Sequence, residues 1–158
     1  MRSKWLLQLV QGTVDAAFAI DASGLISAWN TGAEELFGLR LNEVIGRPCH
    51  EVVKGSDEAG PFCAQHCSVH NALETNQPVA NFDLLVQTKT GREWCNLTIQ
   101  IVSEPGSNAR YAVHGVRRLD IHRLIQQLGR VINEGQVTGQ SQTAARLISS
   151  SLARPRRM

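Results

Sequence analysis

The chain has 158 residues, 42% hydrophobic and 19% charged. That is enough apolar material for one core of ordinary size and excludes a disordered chain. No apolar run approaches the roughly 20 residues that cross a bilayer, and the opening MRSKWLLQLVQG lacks the apolar core and cleavage site of a signal peptide. The formal net charge of +2 is unevenly spread: from Arg117 onward eight arginines stand against Asp120 and Glu134. The rest of the chain holds 8 basic and 12 acidic residues. We therefore expect an acidic globular unit in the cytoplasm, followed by a basic tail that is a solvated surface or a link toward nucleic acid.

Trp5, Leu6, Leu9 and Val10 share one helical face, which predicts a flanking helix within residues 1–13. Ala17 to Ala22 reads as a strand, Ser23-Gly24 as a tight turn and Leu25 to Asn30 as the hairpin partner. Thr31 with Glu34 makes a capping box for the helix AEELFG, and Gly38 closes it. Trp29-Asn30 reads as a core aromatic followed by an amide that caps the strand-to-helix turn. Leu41, Val44 and Ile45 mark a short helix stopped by Gly46 and Pro48. The polar stretch KGSDEAGP separates Cys49 from FCAQHCSVHNALET, whose spacing predicts a helix anchored by Phe62, Val69 and Leu73. Three strands follow, at 79–88, 92–102 and 109–118, divided by Thr90-Gly91 and Pro105-Gly106.

Two strands, a helical insert and a three-strand meander predict an α+β fold, a five-stranded antiparallel sheet covered on one face by short helices. A C-terminal helical extension comes next. Ile121, Ile125, Leu128 and Ile132 follow a 4-3-4 spacing over 119–133, the stripe of a short dimer seam or of a helix lying on its own domain. We take 119–134 as a connector helix, with a homodimer through the 119–133 helix, and 135–158 as a flexible basic tail.

The four cysteines are the unusual chemistry. Cys49, Cys63, Cys67 and Cys95 are spaced by thirteen, three and twenty-seven residues, matching neither a paired zinc ribbon nor a ferredoxin run. In a reducing cytosol, grouped thiols speak for metal binding or redox sensing rather than a disulfide framework. Cys63 and Cys67 at a spacing of four would share one face of the predicted helix, and Cys49 after Pro48 would turn back toward them. Cys95 alternates with Leu97, Ile99 and Ile101 and is expected to point into the core. An iron–sulfur cluster on the four cysteines, a zinc site of Cys₄ or Cys₃His type, and a reversible disulfide all fit. Four packed core cysteines in a cofactor-free interaction or dimerisation scaffold fit as well. His50, His66 and His70 are the alternative ligands, and either of the last two could serve as a proximal haem ligand. No nucleophile elbow, phosphate loop, dinucleotide fingerprint or metalloprotease helix is present, so we expect no enzyme activity.

The run FAIDASGLISAWNTGAEELFGLRLNEVIGRP, followed by TKTGREWCNLTIQIV, resembles a PAS sensory domain over residues 14–118. The resemblance implies a sensor that passes its signal to an effector through a C-terminal helix. It resembles the cysteine-bearing kind found ahead of LuxR-type helix-turn-helix regulators, which would make the effector a transcriptional regulator and any contact with nucleic acid indirect. The flavin-cysteine motif Gly-x-Asn-Cys-Arg-Phe of light-sensing members is absent.

Overall fold

The alternating segments between 79 and 118 become the long strands of the fold. The computed structural model describes residues 3–65 and 67–119, with 125, 126, 128–130 and 132 beyond them. Strands β5 (Val79–Thr88), β6 (Gly91–Ser103) and β7 (Arg110–Arg118) form an antiparallel meander. Its register sets Leu84 opposite Cys95, Leu97 opposite Val116 and Ile99 opposite His114. The hairpin of β1 (Ala16–Ile20) and β2 (Ile26–Trp29) joins the free side of β7, with Phe18 opposite His114.

The observed sheet order is β2-β1-β7-β6-β5-β3-β4. Its first five members are the five strands expected. The two extra ones, β3 (Ser56–Asp57) and β4 (Gly60–Pro61), are a two-residue hairpin inside the stretch taken as a polar linker. Asp57 caps its turn by accepting from the Ala59 N–H, the Asx geometry that lets a polar stretch reverse direction.

Period-two alternation divides the apolar residues between two faces. Phe18 and Ile20 join Leu84, Cys95, Leu97 and Val116 in the larger core, under α2 (Thr31–Phe37), α3 (Leu41–Val44), α4 (Cys49–Val53) and α5 (Ser68–Thr75). Ala17, Ala19 and Ala28 face the other way, onto Leu6 and Val10 of α1 (Lys4–Gln11). The flanking helix thus covers the face the other helices leave open, where the small alanines let it approach the strands.

Asn30 ties these parts together. Its buried Oδ1 accepts from the N–H groups of Ala17 and Ala33, at 2.9 and 2.8 Å. Its Nδ2 donates to the carbonyls of Val10, Thr13 and Asp15. Asn30, not Thr31, therefore caps α2, because an amide both accepts from the helix and donates to the incoming chain. Glu34 is drawn off to the Leu41 N–H instead of completing a capping box. Gly38 closes the helix at φ 72°, as its position predicts.

A second compact unit begins at Leu119. Positions 125, 126, 128–130 and 132 in it are helical, and the side chains of Ile125 and Ile132 are exposed. The rest of the 119–134 connector and the 135–158 tail lie outside the described residues. No helix among the described residues is long and apolar enough to cross a membrane.

Candidate functional site: a thiol-lined cavity

Between the sheet and the short helices lies a cavity of about 360 Å³. The sheet contributes Phe18, Phe82, Leu84, Leu97 and His114; the opposite wall contributes Cys49, Val53, Phe62, Cys63, Cys67 and Val69. Three of the four cysteines expected to act together do share this cavity. The manner in which they reach it differs from the expectation.

Cys49 opens α4, with Pro48 at the N-cap position. Proline therefore starts a helix here rather than marking a free return of the chain, in keeping with its fixed φ and missing N–H. The Cys49 N–H donates to the Gly24 carbonyl and Pro48 bridges Leu25, so the β1–β2 turn fixes this thiol.

Cys63 and Cys67 do not share a helical face. The N–H groups of Phe62 and Cys63 are both taken by the Gly55 carbonyl, at 2.9 and 3.0 Å. Residues 62–65 have neither helix nor strand, and α5 begins only at Ser68 with Cys67 as its extended N-cap. The hairpin β3–β4 ends at Pro61 and spends these N–H groups before a helix can start.

Gly55 has a second role. A Cβ built there would lie 2.2 Å from Leu84 Cδ2 and 2.7 Å from Cys63 Sγ. The missing side chain is the space in which the Cys63 sulfur sits. Arg92 of β6 holds the flanks of this glycine, donating to the Lys54 carbonyl at 2.6 Å and to Ser56 Oγ at 2.8 Å.

Burial pushes the Cys49 thiol well above its ordinary pKa, and the neighbouring Cys63 and Cys67 push it further. At neutral pH it stays protonated. Cys95 is fully buried in the sheet, its thiol raised to about 11 by burial and by the charge of Glu93. It faces the core as its alternation predicts, but it does not line the cavity.

Of the alternative ligands, His50 and His70 line the cavity, His70 with its Nε2 3.2 Å from Glu74 Oε1. His66 lies outside the described residues. Among the described residues no three His, Cys, Asp or Glu side chains are gathered as a metal ion would need. What the thiols share is a wall, not a ready coordination sphere.

The family PAS fold matches residues 6–119. This chain belongs to the PAS family. Its PAS domain has the fold of the RpfR quorum-sensing receptor PAS domain of Cronobacter turicensis, solved with C12:0, at a TM-score of 0.53 and 17% identity. That likeness covers 68% of this chain and 95% of that one. The PAS domain of Bordetella pertussis BvgS is similar at a TM-score of 0.52 and 12% identity, over 82% of this chain and 96% of that one. Among curated proteins, a phytochrome of Picea abies is 43% identical over 49 residues, 31% of this chain. Phytochrome C of Arabidopsis thaliana is 37% identical over 49 residues, also 31% of this chain. The chain spans 4% of the length of either phytochrome.

The PAS domain also places in its cavity one residue the sequence reading passed over. His114 of β7 is buried and stacked on Phe18, with ring centroids 4.4 Å apart and planes 13° apart. Its Nδ1 lies 3.1 Å from the Ala112 carbonyl, so Nδ1 carries the proton and donates. Burial lowers its pKa to about 4, and the imidazole is neutral at pH 7. The strand pattern contained the signal: Ala112, His114 and Val116 alternate on the core face. Gly55, by contrast, left no sequence mark, because its role depends on a contact with Cys63 across a short hairpin.

Proposed function

We propose that this PAS domain is a signal sensor whose reporter is the thiol set Cys49, Cys63 and Cys67, and that the signal is redox state. The observation that carries the reading is the convergence of three half-buried thiols on one cavity, close enough that Cys63 and Cys67 act on Cys49. Cys95 then serves the core. Oxidation that joins two of these sulfurs would pull their backbones together across the cavity and alter how α4 and α5 seat on the sheet. Relay to an effector, a LuxR-type transcriptional regulator in this reading, would run through the connector beyond Arg118, with a homodimer along 119–133 in the cytoplasm. Biasing such a two-state arrangement takes only a few kcal/mol of difference between the forms.

A second reading keeps the same residues and adds a metal. Three cysteines and His50 or His70 line one cavity without being gathered as a metal ion needs, yet they are the soft donors of a Cys₃His zinc or iron–sulfur site. Such a centre requires the helical wall to close and the thiols to lose their protons, a change a cation favours.

Purification without oxygen, followed by an absorbance spectrum, metal and sulfide analysis and a redox titration, separates the readings. A colourless, metal-free protein with a reversible two-electron transition supports the thiol sensor. Iron with sulfide, or stoichiometric zinc, supports the second reading, and a Soret band indicates haem. A metal-free protein with no redox transition would leave the cysteines as packing of an interaction module.

A further inference from the structure

Cys63 differs from the other two cavity thiols in one respect. Besides the inner cavity it lines a separate, open groove on the outer surface, together with His50, Lys54, Asp57, Glu58 and Arg92. Cys49 and Cys67 line the inner cavity and not this groove. Cys63 thus lines both the inner cavity and the outer groove, on a segment free of helix and strand. Its backbone is held by the Gly55 carbonyl and its sulfur by the gap over Gly55.

Resting on the redox reading above, we propose that Cys63 is the thiol a hydroperoxide oxidises first and that Cys49 then closes a disulfide with it. The chemistry balances within that set. The Cys63 thiolate attacks one peroxide oxygen, an S–O bond forms and the O–O bond breaks. Hydroxide (or alkoxide) leaves and takes up the proton the thiol gave, so sulfur is oxidised to a sulfenic acid and the peroxide reduced. Cys49 sulfur then attacks Cys63 sulfur, the S–S bond forms and the S–O bond breaks. The departing hydroxide takes the Cys49 proton and leaves as water.

The division of labour follows from the surroundings. Reaction with a solute needs access, which Cys63 has through the groove. The resolving thiol needs proximity and benefits from staying unreacted until called on, which suits half-buried, protonated Cys49. Cys49 and Cys63 line the same inner cavity, which gives the resolving thiol its route to the oxidised one.

The test is peptide mapping of the full chain after treatment with hydrogen peroxide and alkylation, without reduction. Lys54 separates Cys49 from Cys63 for trypsin, while Cys63 and Cys67 stay on one peptide. The expected result is a bridge between those two peptides that persists in Cys67→Ser and disappears in Cys63→Ser. In Cys49→Ser, dimedone should label Cys63. A bridge that disappears in Cys67→Ser, or dimedone on Cys67, overturns the assignment while leaving the redox reading intact. Wild-type protein that loses no thiols to peroxide overturns both.

Discussion

The two walls of the cavity are held by different physics. The sheet wall is a ladder of backbone hydrogen bonds in fixed register, with Phe18, Leu97 and His114 set by alternation and locked by neighbours on both sides. The opposite wall is short helices and a two-residue hairpin, positioned by single contacts: Gly24 to Cys49, Gly55 to Phe62 and Cys63, Arg92 to Lys54 and Ser56. Cys49, Cys63 and Cys67 are on the second wall, and Cys95 is sealed within the sheet, away from the cavity. In the proposed redox reading, chemistry that must change a structure would sit where few contacts resist the change.

The sheet wall should respond most strongly, and to acid. His114 is neutral and buried, its pKa lowered from 6.5 to about 4. The unfolded chain takes up that proton first as pH falls, so the stabilisation is complete above pH 6.5 and is lost as pH drops through about 4. The loss amounts to about 3 kcal/mol. Urea unfolding at several pH values should show it, and His114→Gln should flatten the dependence in that window. An unchanged slope in the variant would mean that His114 does not govern the sheet wall's acid response.

On the other wall, Gly55→Ala forces a methyl against Leu84 and Cys63 Sγ. Overpacking of this kind costs about 2 kcal/mol. It should also alter the rate at which Cys63 alkylates, because the sulfur must leave its gap. A stable Gly55→Ala protein with native Cys63 reactivity would show that the glycine does not seat the thiol.

The smallest effect falls on Cys95→Ala. Removing a buried sulfur costs about 1 kcal/mol as a small cavity, and the redox transition should keep its midpoint. A shift in that midpoint would bring Cys95 into the reporter and blur the distinction between the walls.

The same contrast explains what the sequence disclosed. Strands at 79–88, 92–102 and 109–118 match β5 to β7 within a residue or so, because period two and the Gly turns are local signals. The inward face of Cys95 followed from the same alternation. The helix expected through Phe62, Cys63 and Cys67 does not form there because its first N–H groups are claimed by Gly55, eight residues before Cys63. No local pattern records that claim. The grouping of Cys49, Cys63 and Cys67 was nonetheless legible, since their closeness in sequence left little chain with which to separate them. Asn30 was legible as a cap, but its bonds to Val10, Thr13 and Asp15 depend on where the flanking helix lies.

Differential alkylation of all four cysteines, read by mass spectrometry across a series of thiol–disulfide redox buffers, separates cavity thiols that report from a sheet thiol that does not. Cys49 and Cys63 should lose reactivity together at one midpoint while Cys95 gives the same signal in native protein throughout. Loss at Cys95 in step with the others, or no loss at Cys49 and Cys63 at any potential, would contradict that division.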